Sequence, residues 1–214
     1  MRHFILVAFA TIIVGTTVFA QSENKNIFGR FYDNQIRAKS ETQKWQVFAE
    51  INPQFFAFDG YGFGLGVEFS RFQTGFIYLD TKLTPTFRDA IFKDAKGVTV
   101  PKNTAAEIFA NVFLRKDRKG FYAGSILSYD WYNVTDDASQ KKETFTKLYL
   151  VTRVGFRWFP FKEYLYIDGG YGVSVNLSGS DKRKLGASTY SPQPVIALPF
   201  FAIGGRFSLS NGRK

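Results

Sequence analysis

The stretch Tyr61-Gly62-Phe63-Gly64-Leu65-Gly66-Val67-Glu68-Phe69-Ser70 constrains the fold more than any other part of the chain. Every odd position is large and apolar, and every even position is Gly, Glu or Ser. A strand sends successive side chains to opposite faces, so this order gives one apolar face and one small or polar face. A helix cannot separate the two sets, and each interior glycine would cost it about 1 kcal/mol.

The same period of two returns along the chain. Ala106, Ile108, Ala110, Val112 and Leu114 oppose Glu107, Phe109, Asn111, Phe113 and Arg115. Leu148, Leu150, Thr152, Val154, Phe156 and Trp158 oppose Tyr149, Val151, Arg153, Gly155, Arg157 and Phe159. Leu165 to Asn176 and Phe201 to Leu209 repeat it, and Trp45 to Ala57, Gln73 to Asp80 and Phe121 to Asn133 carry weaker versions. Eight strands are expected near 45–57, 61–70, 73–80, 104–115, 121–133, 146–159, 164–176 and 195–210, the first interrupted by Pro53. Connections alternate between short (70–72, 116–120, 160–163) and long (81–103, 134–145, 177–194). Asp59-Gly60 breaks that rhythm, being short where a long connection is due. Phe87, Ile91 and Ala95 have helical spacing, so the 84–96 segment is expected to hold a turn or two of helix.

Strands of this number and rhythm suit a closed up-and-down barrel. The less apolar face is rich in Gly, Ser, Asn and Tyr with an occasional ion, which fits a narrow interior. The other face is nearly uncharged over about five positions per strand, roughly 33 Å of strand, enough for an apolar band about 25 Å tall. The expected fold class is therefore all-β, a single eight-stranded antiparallel up-and-down transmembrane barrel over residues 44–214. Aromatics bunch at the strand ends. Trp158, Phe159, Phe161 and Tyr164 surround the Pro160 turn, Tyr129, Trp131 and Tyr132 end the fifth strand, and Trp45 begins the first. These are expected to form two interfacial girdles.

The N-terminus reads as an export signal. Arg2 precedes an apolar run from Phe4 to Val14 that is too short to cross about 30 Å of hydrocarbon, and Val18-Phe19-Ala20 places cleavage after Ala20. Residues 21–43 follow as a polar arm with Ile27, Phe28, Phe31 and Tyr32 embedded in it.

Several chemistries are excluded. There is no Cys, so no disulfide, thiolate site or Cys nucleophile. The one His, His3, lies in the export signal, so a His general base is unavailable to the exported chain. Asp59, Asp80, Asp136, Asp137 and Glu143 approach one rim without convincing pairing, and Asp136-Asp137 is too short for a calcium loop. The glycines at 60–66 are spaced by two within a strand, unlike a phosphate loop. No catalytic residue, metal or cofactor is expected.

The inner face carries Glu50, Glu68, Glu107, Asp130 and Asp168 against Arg153, Arg157 and Arg206. If Phe159 pairs with Tyr164, Gly155 lies opposite Asp168, and Arg153 and Arg157 flank it diagonally. Closure brings Arg206 to the first strand, where Glu50 is the expected partner. The reading is an ion-pair network filling a narrow lumen, with an ion or solute pathway as the alternative.

Three stretches resemble uncharacterised outer-membrane proteins of the Bacteroidota group: Glu50 to Gly62, Arg157-Trp158-Phe159-Pro160-Phe161-Lys162, and Tyr166-Ile167-Asp168-Gly169-Gly170-Tyr171-Gly172. More broadly, Trp45 to Leu209 is similar to small outer-membrane barrels of Gram-negative bacteria. The resemblance implies an outer-membrane location, assembly by the barrel-insertion machinery, and a C-terminal aromatic assembly signal, here Phe207 followed by a short tail. The net charge of +10 resides partly in the long loops. Lys82, Arg88, Lys93, Lys96 and Lys102 outnumber Asp89 and Asp94, and Lys182, Arg183 and Lys184 outnumber Asp181. Export argues against nucleic acid, which leaves membrane lipid and phosphate-rich lipopolysaccharide as the expected partners of a monomer. The expected role is non-enzymatic, structural or surface-binding, with a largely side-chain-filled lumen. A soluble periplasmic or secreted barrel with an apolar ligand and a narrow solute pore are the alternatives.

Overall fold

The structure, a computed structural model, describes residues 45–208. The expected signal peptide, the 21–43 arm and the tail from Leu209 onward lie outside the described residues. Eight strands close into an antiparallel barrel: β1 (Gln46–Ile51), β2 (Tyr61–Phe69), β3 (Phe72–Leu83), β5 (Val98–Phe113), β6 (Gly120–Asp136), β7 (Lys142–Phe161), β8 (Leu165–Asn176) and β11 (Val195–Ser208). Each pairs with its chain neighbour in the barrel, and β1 pairs with β11 to close the ring. Closure leaves no barrel strand with an open edge.

The alternation decides which side of the wall each residue takes. Val154 is 63% exposed, whereas Arg153 beside it is 8% exposed. Leu65, Phe76, Ile108, Leu127, Val173 and Ile203 face outward from their strands, and Glu68, Asn111, Tyr122, Asp168 and Arg206 are buried inside. Between Trp158 at one end and Trp131 at the other, the outward positions of the strands carry no Asp, Glu, Lys or Arg. Ten residues of tilted strand separate Phe121 from Trp131, roughly 25 Å along the axis.

Glycine lets the lumen close around large side chains. Gly66 and Gly75 are opposite each other on β2 and β3, and the Phe48 ring lies over them. A Cβ on Gly66 would meet the Thr74 carbonyl oxygen and stand 2.6 Å from the Phe48 ring.

The ends differ from expectation in instructive ways. Pro53 does not interrupt β1 but ends it, by starting a 3₁₀ helix (Pro53–Phe58) whose last turn closes on Asp59 in the left-handed region at φ 51°. The 52–60 connection is therefore long, and the rhythm of short and long connections holds there. A seven-residue helix, α1 (Pro85–Ile91), occupies the 84–96 segment. The 134–145 connection is shorter than expected, because β6 and β7 run on past the barrel as a tall hairpin that turns at 137–141.

At this loop end the connections pack into a cap with its own apolar core. The small sheet of β4 (Phe92–Lys93), β10 (Ser188–Pro192) and β9 (Arg183–Leu185) lies over it. Phe92 is 2% exposed and packs edge-on against Tyr132 at 5.1 Å and Tyr190 at 5.9 Å. Ile91, Val98, Val100, Val134, Phe145 and Leu185 belong to the same cluster. Tyr132, expected in a girdle, instead points inward here. The hairpin tip is tied down by Asp136, which accepts hydrogen bonds from the Ser139 amide at 2.7 Å and hydroxyl at 2.5 Å. Those bonds, led by the Ser139 hydroxyl and joined by hydrogen bonding from Ser188, hold the Asp136 carboxyl at about 2, below its ordinary 3.8.

Two outcomes follow from these packings. Gly66→Val should lower the refolding midpoint in urea by the equivalent of about 1–3 kcal/mol or block folding, whereas Gly169→Val, whose nearest new contact is 3.7 Å away, should not. Asp136 is depressed in the folded state, so its contribution is complete above about pH 4 and is lost as pH falls through about 2. The Ser139 amide resonance should move with a midpoint near pH 2, and Asp136→Asn should abolish that movement. A midpoint near 4 would contradict the assignment.

Candidate functional site

The inside of the barrel has two parts, a charged floor at the short-turn end and a cavity beneath the cap. Glu68 on β2 is the hub of the floor and has no exposed surface. Its Oε1 accepts from Arg157 Nη1 at 2.6 Å, and its Oε2 accepts from Arg118 Nε at 3.0 Å and lies 3.7 Å from Arg206 Nη1. Arg157 also donates to Asp168 Oδ2 at 2.8 Å and to Gln73 Oε1 at 3.0 Å, while its guanidinium lies 3.9 Å from the Tyr166 ring centroid. Asp168 accepts from Tyr122 Oη at 2.7 Å. Gln73 accepts from Asn111 at 2.7 Å, and Asn111 accepts from Arg153 Nε at 3.1 Å. Gln46 of β1 joins through Arg118. Every barrel strand therefore contributes a polar group to one connected network.

The partners differ from the sequence-based register in three places. Arg157, not Gly155, lies opposite Asp168. The register shifts between Trp158 and Phe161, because the chain carries its strand through Pro160 and turns later, with Lys162 in the left-handed region at φ 52°. Arg206 does not meet Glu50. It lies opposite Phe48 and is drawn to Glu68 and to the carbonyls of Glu163 and Asp117 at 2.7 and 3.0 Å, while Glu50 accepts from Tyr166 Oη at 2.8 Å. Arg153 bonds Asn111 rather than Asp168, and its guanidinium faces the rings of Phe109 and Phe200 at 4.8 and 5.2 Å.

Arg118 escapes sequence reasoning. It sits in the charged run Arg115 to Lys119, which looks like a solvated turn. A left-handed backbone at φ 58° turns it back under the barrel, where it is 3% exposed and also donates to the Ser70 carbonyl at 2.6 Å. Gln73, Asn111, Tyr122 and Tyr166 are polar residues at inward parity. Parity alone was the signal that could have found them.

Glu107 and Asp130 lie apart from the floor. Asp130 accepts from Ser128 at 2.5 Å and from Tyr132 at 3.0 Å. The ion pairs of the lumen run among Glu68, Asp168, Arg118, Arg157 and Arg206. Among the described residues, none reaches Glu50, Glu107 or Asp130. These three carboxyl groups instead border a cavity of about 280 Å³, with Ile77, Leu79, Ile126 and Leu198 along its walls and Phe55, Phe58 and Phe87 toward the mouth. The lumen, expected to be largely filled by side chains, is filled at the short-turn end and hollow below the cap.

Of the aromatics expected in the girdles, Trp45, Trp158, Phe161 and Tyr164 are exposed at the short-turn end, and Tyr129 and Trp131 are exposed toward the loop end. Trp45 stacks on Phe69 at 4.9 Å. Phe159 does not join them. It keeps the inward parity of Arg157 and packs against Tyr166 at 5.8 Å, with the Arg206 guanidinium 4.2 Å from its ring.

No family model matches the chain, and no curated protein matches it. Among solved structures it is similar to the N-terminal β-barrel domain of Pseudomonas aeruginosa OprF, with 12% identity, 77% of this chain and 98% of that chain covered, and a TM-score of 0.45. A major outer membrane protein from Thermus thermophilus gives 12% identity, coverages of 77% and 99%, and a TM-score of 0.45. Neisserial surface protein A gives 14%, 79% and 98%, and 0.40.

Removal of the central guanidinium would leave Asp168 buried without its opposite charge and would take the shortest of the three cationic contacts from Glu68. Arg157→Ala should cost about 3–5 kcal/mol in urea refolding experiments. Glu107→Gln, which breaks no ion pair, should stay within about 0.5 kcal/mol of the parent. Equal effects would show that the network is not a connected unit.

Proposed function

We propose that the protein is an integral outer-membrane β-barrel whose floor is closed to ions, with a non-enzymatic role performed at its capped, surface-facing end. The observation that carries this reading is the uncharged outward band, bounded by exposed aromatics. Apolar surface that encircles a barrel is far larger than the few hundred Å² that monomeric soluble proteins leave contiguous, and acyl chains are its matching solvent. No helix among the described residues is long and apolar enough to cross a membrane, so a crossing would be made by the strands. A soluble carrier barrel would instead need the charged side of each strand on the outside.

The floor argues against a conducting pore. A permeating ion would have to separate Arg157 from Glu68 and Asp168, at the desolvation cost of buried charges. The role is read as non-enzymatic because the chain's only His is His3, it has no Cys, and the rim carboxylates are not set against a nucleophile. Lys93, Lys96, Lys182 and Lys184 are exposed on the cap connections, where they would meet the phosphates of lipopolysaccharide. The closed ring favours a monomer, and Phe207, exposed near the end of β11, is the candidate assembly signal.

Refolding from urea should require detergent or lipid and should yield a band that migrates differently before and after boiling. The same material should give no discrete current steps in planar bilayers. A monomer that stays soluble without detergent would overturn the membrane assignment, and regular steps would overturn the closed floor.

A further inference from the structure

The cavity beneath the cap has a chemical bias that the floor does not explain. Its buried polar atoms without a hydrogen-bond partner are all acceptors. Glu50, Glu107 and Asp130 are acidic and have no ion-pair partner among the described residues. Three amide oxygens of the same lining, Asn52 Oδ1, Gln54 Oε1 and Asn103 Oδ1, are buried without a hydrogen-bond partner. Asn52 is 8% exposed and Asn103 is 5% exposed. The Asn52 amide nitrogen already donates to the Phe201 carbonyl, which commits its oxygen to the cavity as an acceptor. An unmet buried acceptor costs about 1–3 kcal/mol, so three around one cavity call for a donor.

The lining's cations do not supply it. Arg153 is engaged by Asn111 and by aromatic faces, and Lys82 stands exposed at the rim. Asp168 has its charge met by Arg157 behind the wall. The remaining walls are aliphatic and aromatic, and aromatic faces attract cations as well as apolar groups.

We propose that this cavity binds a compact organic monocation, an ammonium head on an apolar body, with the head among Glu107, Asp130 and Asn103 and the body between Ile77, Ile126 and Leu198. The volume of about 280 Å³ limits the guest to a small molecule, below the usual range for drug-sized ligands. The site opens toward the cap, so such a guest would enter from the loop end. The proposal stands on the cavity and does not depend on the membrane placement.

The test uses the full chain refolded in a maltoside detergent, which carries no ammonium group of its own. The probe is benzylammonium, whose three N–H groups can donate to the cavity's oxygens, followed by calorimetry and by amide resonances of Ser128 and Asp130. Ethylbenzene, its neutral isostere, and calcium chloride are the comparison ligands. Saturable binding of the cation is expected, at least tenfold tighter than either comparison ligand. The double variant Glu107→Gln/Asp130→Asn should lose at least tenfold in affinity, and Asp89→Asn on the exposed helix should lose none. If the double variant gives no heat-modifiable band, Ile77→Trp, which fills the cavity beside Glu107 and leaves every carboxylate in place, should abolish binding in its place. Equal binding of the neutral isostere, preference for calcium, absence of saturable binding, or unchanged affinity in the folded variants would each overturn the proposal. A failure to insert into lipid would appear separately, as a missing gel shift.

Discussion

A guanidinium with no exposed side-chain surface, held between two carboxylates, is the constraint on which the rest of this barrel depends. Arg157 reaches Glu68 across the lumen and Asp168 on the neighbouring strand, and stacks on Tyr166. A closed sheet with an apolar exterior must place its polar side chains inward, and a narrow interior cannot hydrate them. Ions there persist only when each meets an opposite charge and its remaining hydrogen-bond sites are filled. Arg118 from a turn and Gln73 and Asn111 from the wall meet these needs, and in doing so they join side chains of several strands into one network.

That solution divides the barrel along its axis. At the short-turn end the charges are matched and the lumen is full. Toward the loop end the inward residues become Ile77, Leu79, Ile126 and Ile196, and the connections fold over them around Phe92. The cavity lies between the two regimes, bordered by carboxyl groups that belong to no ion pair and by amide oxygens that nothing satisfies. A barrel needed only as a wall could have filled this space with one more aromatic ring, as it does with Phe48 over Gly66 and Gly75. On the proposed reading, the closed floor makes the upper space a blind pocket, suited to holding a guest and not to passing one.

Much of the wall was legible because period two is a local property. Tyr61 to Phe69 and Leu148 to Trp158 declare their faces whatever lies beside them, and the eight barrel strands stand close to their expected places. The charged residues Glu68, Arg153, Arg157, Asp168 and Arg206 could be assigned to the lumen from parity alone. Their partners could not. One extended residue pair at the Pro160 turn moved the β7–β8 register by two, which replaced Gly155 with Arg157 opposite Asp168. Arg118 was invisible because nothing in a run of turn charges distinguishes the one whose left-handed backbone points it under the barrel.

The sequence by itself determined the alternation, and with it the outward apolar band, the inward ions and the absence of Cys chemistry, since each depends only on residue type and parity. Tertiary structure alone decided which ion meets which, that the loops form a cap with its own core, and that a cavity remains below it. Those features depend on where strands of different tilt and register stop across the ring from one another, and that is a property of closure that no single strand carries.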